Sequence, residues 1–220
     1  YDDLARALKE AKGRTLHGAA TELIAGSTEV LELMRKHPER SFRCGPLALS
    51  KLVTGYSFAS PKDQEAARKM ISHCFSTSRG TSLARVNALA QDCRMQYQMA
   101  FRSPGAPLIV RSVMHWKAGH FGALLEKKGT RYLVEDSTSI ATPLYVTADC
   151  LNQEASGYFL VPAGPLPSGW RRVTLTEAAN VWGCGVTPNL YLYATALLDQ
   201  MSFPKKKRCV NNCPTFCSSV

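Results

Sequence analysis

The hydrophobic period changes partway along this chain, and that change sets the fold class. Up to Cys93, apolar residues recur at helical spacing: Leu4, Ala7, Leu8 and Ala11, then Leu23, Val30, Leu31 and Met34. After a short loop the period resumes with Leu49, Leu52, Val53 and Tyr56, and again with Ala67, Met70, Ile71 and Cys74. A last helical face carries Val86, Leu89, Ala90 and Cys93. Beyond it the period shortens. Residues 107–114, 119–126, 130–136 and 157–161 are short apolar or alternating runs rich in Val, Leu, Ile, Tyr and Phe, punctuated by Gly, Pro and Lys. Helices followed by strands predict an α+β fold, with helices packed on an antiparallel sheet.

Punctuation refines the boundaries. His37-Pro38 closes the second helix, because proline disfavours a helical residue before it. Cys44 stands where a loop meets the next helix, and Pro46 falls in its first turn, where a missing N–H costs little. Thr174 with Glu177 forms a capping box for a short helix through Val181, and another apolar helix is expected over 188–201. Residues 1–36 read as a helical hairpin, compatible with the end of a helical repeat. Residues 163–202 read as a C-terminal helical extension, and 203–220 as a basic, cysteine-bearing tail. The chain opens inside a helical pattern, which suggests a segment of a longer polypeptide.

Bulk properties exclude several function classes. At 220 residues and 45% hydrophobic, the chain has material for a real core. No apolar run approaches the roughly 18 residues of a membrane span. The net charge of +10 is spread along the chain, apart from Lys205-Lys206-Lys207-Arg208. No aromatic-rich basic motif accompanies it, which argues against nucleic-acid binding, and the run itself reads as a solvated linker. The eight cysteines have no framework spacing, so a mostly reduced state is expected. Cys74 and Cys93 fall on apolar helix faces and read as core. Cys209, Cys213 and Cys217 follow a C-x3-C-x3-C pattern that suits no common zinc site, so neither metal nor cofactor is expected.

One set of residues points to chemistry. A helix N-terminus stabilises negative charge on sulfur, and its unpaired amides can donate to an oxyanion at Cys44. Arg43 adds a neighbouring positive charge, and Gly45 leaves room for a substrate carbonyl. Further on, a three-residue hairpin loop Lys127-Lys128-Gly129 would place His120 opposite Asp136 on one sheet face, with Cβ atoms roughly 4.5–5.5 Å apart. A carboxylate there orients the imidazole and stabilises its charged form. A two-residue loop would put Asp136 on the other face. Spacing alone favours a buried structural thiol at Cys44, and the hairpin alone is equally a chance pair on a solvated face. Together, the three positions match nucleophile, base and orienter. His115 is a second titratable group, and with Trp116 it is expected to shape the floor beneath His120.

The motifs resemble a known family. Arg43-Cys44-Gly45-Pro46-Leu47-Ala48-Leu49 looks like the nucleophile motif of the C39 peptidases, the bacterial double-glycine leader peptidases of papain-like fold. His115-Trp116-Lys117-Ala118-Gly119-His120-Phe121 resembles the histidine motif, Tyr132-Leu133-Val134-Glu135-Asp136-Ser137 the aspartate strand, and Gly157-Tyr158-Phe159-Leu160-Val161 the closing strand. The resemblance implies a peptidase domain over 37–162 with catalytic Cys44, His120 and Asp136, and with Arg43, Gly45 and Trp116 near the oxyanion or substrate. It implies a peptide or protein substrate with small residues at the cleavage point, in cis within a longer chain or in trans. The family's oxyanion-hole Gln is replaced here by Pro38, leaving His37, Arg40 and Ser41 as neighbouring candidates, and Ser137 replaces the usual proline after the aspartate. The flanks resemble parts of bacterial Rhs/YD-repeat proteins, which would place the domain in the bacterial cytoplasm or in an exported polypeptide. Two other readings share these residues: a transglutaminase-like acyl transferase, and a degenerate peptidase that binds peptides without cleaving them.

Overall fold

The computed structural model describes residues 2–14, 19–136 and 144–185. Helices dominate its first half: α1 (Asp2–Ala11), α2 (Ala19–Lys36), the single turn α3 (Pro38–Ser41), α4 (Cys44–Val53), α5 (Pro61–Ser72) and α6 (Leu83–Asp92). Strands dominate the second: β2 (Tyr97–Arg102), β3 (Ser112–Trp116), β4 (His120–Lys128), β5 (Arg131–Asp136), β6 (Leu144–Thr147), β7 (Ala155–Pro162) and β8 (Trp170–Arg172). A two-residue strand β1 (Thr81–Ser82) precedes α6 and pairs with a late partner, β9 (Trp182–Gly183). Two short helices, α7 (Ala148–Glu154) and α8 (Leu175–Ala178), complete the elements. The expected order, helices then antiparallel strands, is observed.

The seven-stranded sheet runs β6-β5-β4-β3-β7-β2-β8, with every neighbouring pair antiparallel. Its two faces bury different clusters, as period-two alternation requires. On one face Val113, Phe121, Ala123 and Leu160 meet Leu49, Leu52 and Val53 of α4 and Val86 and Leu89 of α6. On the other, Met114, Leu124, Val134 and Phe159 pack with Leu151 of α7 and Trp170 of β8. A third cluster joins α1 to α2 through Leu4, Ala7, Val30, Leu31 and Met34, and Phe42 belongs to it. α1 and α2 thus pack against each other. Cys74 and Cys93 are buried in the first cluster, as their spacing suggested.

The β4–β5 hairpin corrects the expected loop. Lys128 pairs with Arg131, so the turn is the two residues Gly129-Thr130, with Gly129 at φ +60°. Alone, that register would send Asp136 to the wrong face. A bulge intervenes: Glu126 pairs with Leu133 but Leu124 pairs with Val134, leaving Leu125 as the extra residue. The slip of one residue restores the phase. Asp136 then lies opposite Gly122, two residues along β4 from His120, and not opposite His120 itself. The Asp136 carboxylate lies outside what the structure describes, as do residues 137–143.

The expected helical extension over 163–202 is described only as far as Gly185, and this part is mostly not helical. It holds β8, the single turn α8 and β9. Thr174 caps α8 by accepting from the Glu177 amide, as the capping box foresaw, but the helix ends at Ala178. Glu177 also receives Arg171 at 2.6 Å and the Tyr158 hydroxyl at 3.0 Å, tying α8 to β8 and β7. The helix expected over 188–201 and the cysteines of the tail lie outside the described residues.

Two outcomes follow. Leu49, fully buried between α4 and the sheet, should cost about 2–5 kcal/mol when truncated to alanine. Urea denaturation showing no loss would contradict the packing described. Glu177 is held down at about 2 from 4.5, chiefly by the Arg171 hydrogen bond. A depressed carboxylate contributes stability above its unfolded value, lost as pH falls through the folded one. Glu177→Gln should therefore flatten the fall in melting temperature between pH 4.5 and about 2.

Candidate active site

Cys44 is the first residue of α4, and its side chain is wholly buried. The start of this helix differs from others in the molecule. Ser60, Ser82, Thr147 and Thr174 cap α5, α6, α7 and α8, each accepting the amide three residues on. Arg43, at the corresponding place before α4, makes no side-chain cap. With Pro46 in the first turn, the amides of Cys44 and Gly45 are the donors this terminus offers to an anion.

Arg43 turns away from that role. Its guanidinium donates to the carbonyls of Ile71 (2.9 Å), Ser72 (2.9 Å) and Cys74 (3.0 Å). It closes the C-terminus of α5, where the helix dipole favours a cation. Gly45 also serves packing. A Cβ there would lie 2.6 Å from Val86 Cγ2 and 3.4 Å from Phe121 Cδ2, so glycine lets α4 approach both α6 and β4. Among the candidate oxyanion donors, the Ser41 hydroxyl donates back to the His37 carbonyl at 2.9 Å, and His37 pairs with Glu39 at 3.2 Å. Pro38 opens α3.

His120 is the first residue of β4 and is buried. Gly119, at φ +75°, makes the turn from β3, and Trp116 pairs directly across from His120. Trp116 packs with the cluster on the far side of the sheet from α4. His115 faces the α4 side, with its ring 5.0 Å from Phe121. Its Nε2–H donates to the Trp182 carbonyl at 2.9 Å, so Nδ1 accepts from the Ser156 hydroxyl at 2.8 Å. Burial lowers its pKa, the nearby His120 adding to the effect, which keeps the ring neutral.

A segment absent from the sequence reading lies against both the thiol and the imidazole. Residues 182–185, Trp-Gly-Cys-Gly, run across both. The Gly185 amide donates to Cys44 Sγ at 3.3 Å. A Cβ on the same Gly185 would fall 1.5 Å from His120 Nδ1. Thiol and imidazole thus flank a single residue. The signal available in the sequence was the pair of glycines around Cys184, which mark close backbone approach as readily as a turn. Among the described residues, no cluster of His, Cys, Asp or Glu suits a metal ion.

If Arg43 serves α5 rather than the thiol, Arg43→Ala should lower stability by roughly 1–2 kcal/mol and leave the alkylation rate of Cys44 unchanged. A slower reaction at Cys44 with stability intact would assign the guanidinium to the sulfur instead.

No family model and no curated protein matches the chain. Two solved structures resemble it. One is a double glycine motif protease from an AMS/PCAT transporter in complex with the leader peptide: 18% identical, TM-score 0.40, covering 55% of this chain and 84% of that one. The other is the N-terminal peptidase C39-like domain of a toxin secretion ATP-binding protein from Vibrio parahaemolyticus: 12% identical, TM-score 0.39, covering 59% and 97%.

Proposed function

We propose that this chain is a cysteine peptidase of C39-like, papain-type architecture, with Cys44 as nucleophile, His120 as general base and Asp136 as the group that orients the imidazole. One observation carries the reading. A buried sulfur at an uncapped helix start and the imidazole of His120 flank the same backbone residue, Gly185. That is where the reacting group of an extended peptide would have to lie.

The chemistry then follows. Cys44 gives up its proton to His120 and its sulfur attacks the substrate carbonyl carbon. The amides at the start of α4 receive the developing oxyanion. His120 returns the proton to the leaving amine, leaving a thioester. Water, deprotonated by the same imidazole, releases the acid and restores the thiol. The backbone register supports the third role: Asp136 is in phase with His120 and one pair removed along the strands. A β-strand added beside β1 would supply the main-chain contacts of an extended substrate. Cleavage in cis, within a longer polypeptide, suits this geometry as well as cleavage in trans.

The test is hydrolysis of peptides together with alkylation of Cys44 at neutral pH, located by peptide mapping. Cys44→Ala should abolish hydrolysis. His120→Ala should slow both reactions, hydrolysis by roughly 10³-fold or more, and Asp136→Asn should retain binding while losing turnover. Unchanged Cys44 alkylation in His120→Ala would overturn the assignment. Incorporation of an amine probe into glutamine peptides without cleavage would favour acyl transfer.

A further inference from the structure

The segment that joins Cys44 to His120 also closes the site. Cys44 is 0% exposed and His120 9%. A peptidase in this state admits no substrate. The cover is Trp182–Gly185, and it is fastened along its length. β9 pairs with β1 in the register Thr81 to Gly183 and Ser82 to Trp182. The Leu83 amide donates to the Val181 carbonyl at 2.8 Å, and the Cys184 amide to the Gly119 carbonyl at 2.9 Å. His115 donates to the Trp182 carbonyl. The Arg79 guanidinium stacks 4.6 Å over the Trp182 ring.

Three glycines make the fit possible. At Gly183 a Cβ would come 2.4 Å from Phe121 Cδ2 and 3.1 Å from Cys44 Sγ. At Gly185 it would enter the His120 ring. Across the pair, Gly80 at φ +87° leaves room for the Gly183 carbonyl, which a Cβ would meet at 2.1 Å. No larger residue fits at any of the three without displacing its neighbours.

The pose is that of a plug and not of a substrate. The Gly185 N–H points at Cys44 Sγ, so the sulfur lies towards the plane of the Cys184–Gly185 peptide group. Nucleophilic attack requires approach above that plane, towards the carbonyl carbon. The hydrogen bond instead ties up the sulfur from the amide edge.

We propose that Trp182–Gly185 is an intramolecular strap that occupies the peptide groove and holds the peptidase inactive until an extended segment displaces it. This regulation rests on the peptidase reading given above. Opening is a local transition, in which β9 leaves β1 while the sheet and α4 stay folded.

The test is the rate at which iodoacetamide alkylates Cys44 in the full chain, mapped by mass spectrometry, with buried Cys93 as the internal reporter of global unfolding. Gly185→Val, which the His120 ring excludes, should raise the Cys44 rate by roughly tenfold or more while Cys93 stays unmodified, since labelling of a buried group follows its opening equilibrium. An unchanged Cys44 rate with Cys93 protected would overturn the strap. Should Gly185→Val expose Cys93, the double variant Arg79→Ala with Trp182→Ala decides: it removes the stacked anchor without entering the site. A faster Cys44 reaction supports the strap and an unchanged one overturns it. Adding His120→Ala to the Arg79→Ala, Trp182→Ala variant, whose release does not depend on the His120 ring, separates the two readings. A strap-release gain that survives loss of His120 keeps the strap and removes the peptidase assignment. Fast, His120-dependent labelling in the parent chain, with no gain on release, does the reverse.

Discussion

The close approach of α4 to β4 at Gly45 is the contact on which the rest of the site depends. Leu49, Leu52 and Val53 hold the body of the helix on the sheet through ordinary apolar burial. That packing fixes the axis but not how near the first turn comes to Phe121. Gly45 decides the distance, because any Cβ would strike Val86 before the sheet. The sulfur of Cys44 is therefore delivered beside the strand start that carries His120. Apolar packing brings this first turn to the sheet, and the Gly185 amide meets the sulfur there. This also explains why Arg43 is free to close α5, since the helix start it precedes needs no side-chain cap to be held.

Much of this was legible in the sequence, for a definite reason. Apolar period and punctuation are local signals, and the fold's two halves each keep one period. The start of α4 at Cys44 follows from Pro46 and the residues after it. The hairpin is more instructive. The loop Gly129-Thr130 is shorter than expected by one residue, and the bulge at Leu125 adds one back. Together they return Asp136 to the face of His120, but two residues along from the expected pairing, because the turn also sits further along the chain. A bulge has no period of its own, and nothing in Leu124-Leu125-Glu126 announces it. The strap was illegible because its partners, Thr81, Gly119 and Cys44, are far from it in sequence, Cys44 by 141 residues.

The α4 side of the sheet also buries polar groups beside the thiol. His115 is kept neutral there by burial, and both of its ring nitrogens have partners, Ser156 below and the Trp182 carbonyl above. An imidazole so placed would lose its upper partner whenever the strap lifted. The same holds for the Gly119 carbonyl, which accepts from Cys184. Water takes these places once the strap lifts, so what disfavours an open groove is the exposure of the apolar walls beneath it, Phe121 among them.

That constraint says what kind of molecule could take the strap's place. Each bond the strap makes to the groove floor runs through its own backbone: a carbonyl to His115, an amide to Gly119, an amide to Cys44 Sγ, and a ladder to β1. An extended peptide can replace them group for group, so the exchange is close to neutral in hydrogen bonds. A compact ligand that filled the volume would leave several of them unmade. The walls impose the second condition, since Phe121 and His120 exclude side chains at the positions of Gly183 and Gly185. On the peptidase reading, competition between strap and substrate is then decided outside these four residues. The strap has the advantage of being tethered. A substrate can win only by gaining contacts elsewhere on the surface, and the same groove can in this way be both well fitted to a peptide and closed at rest.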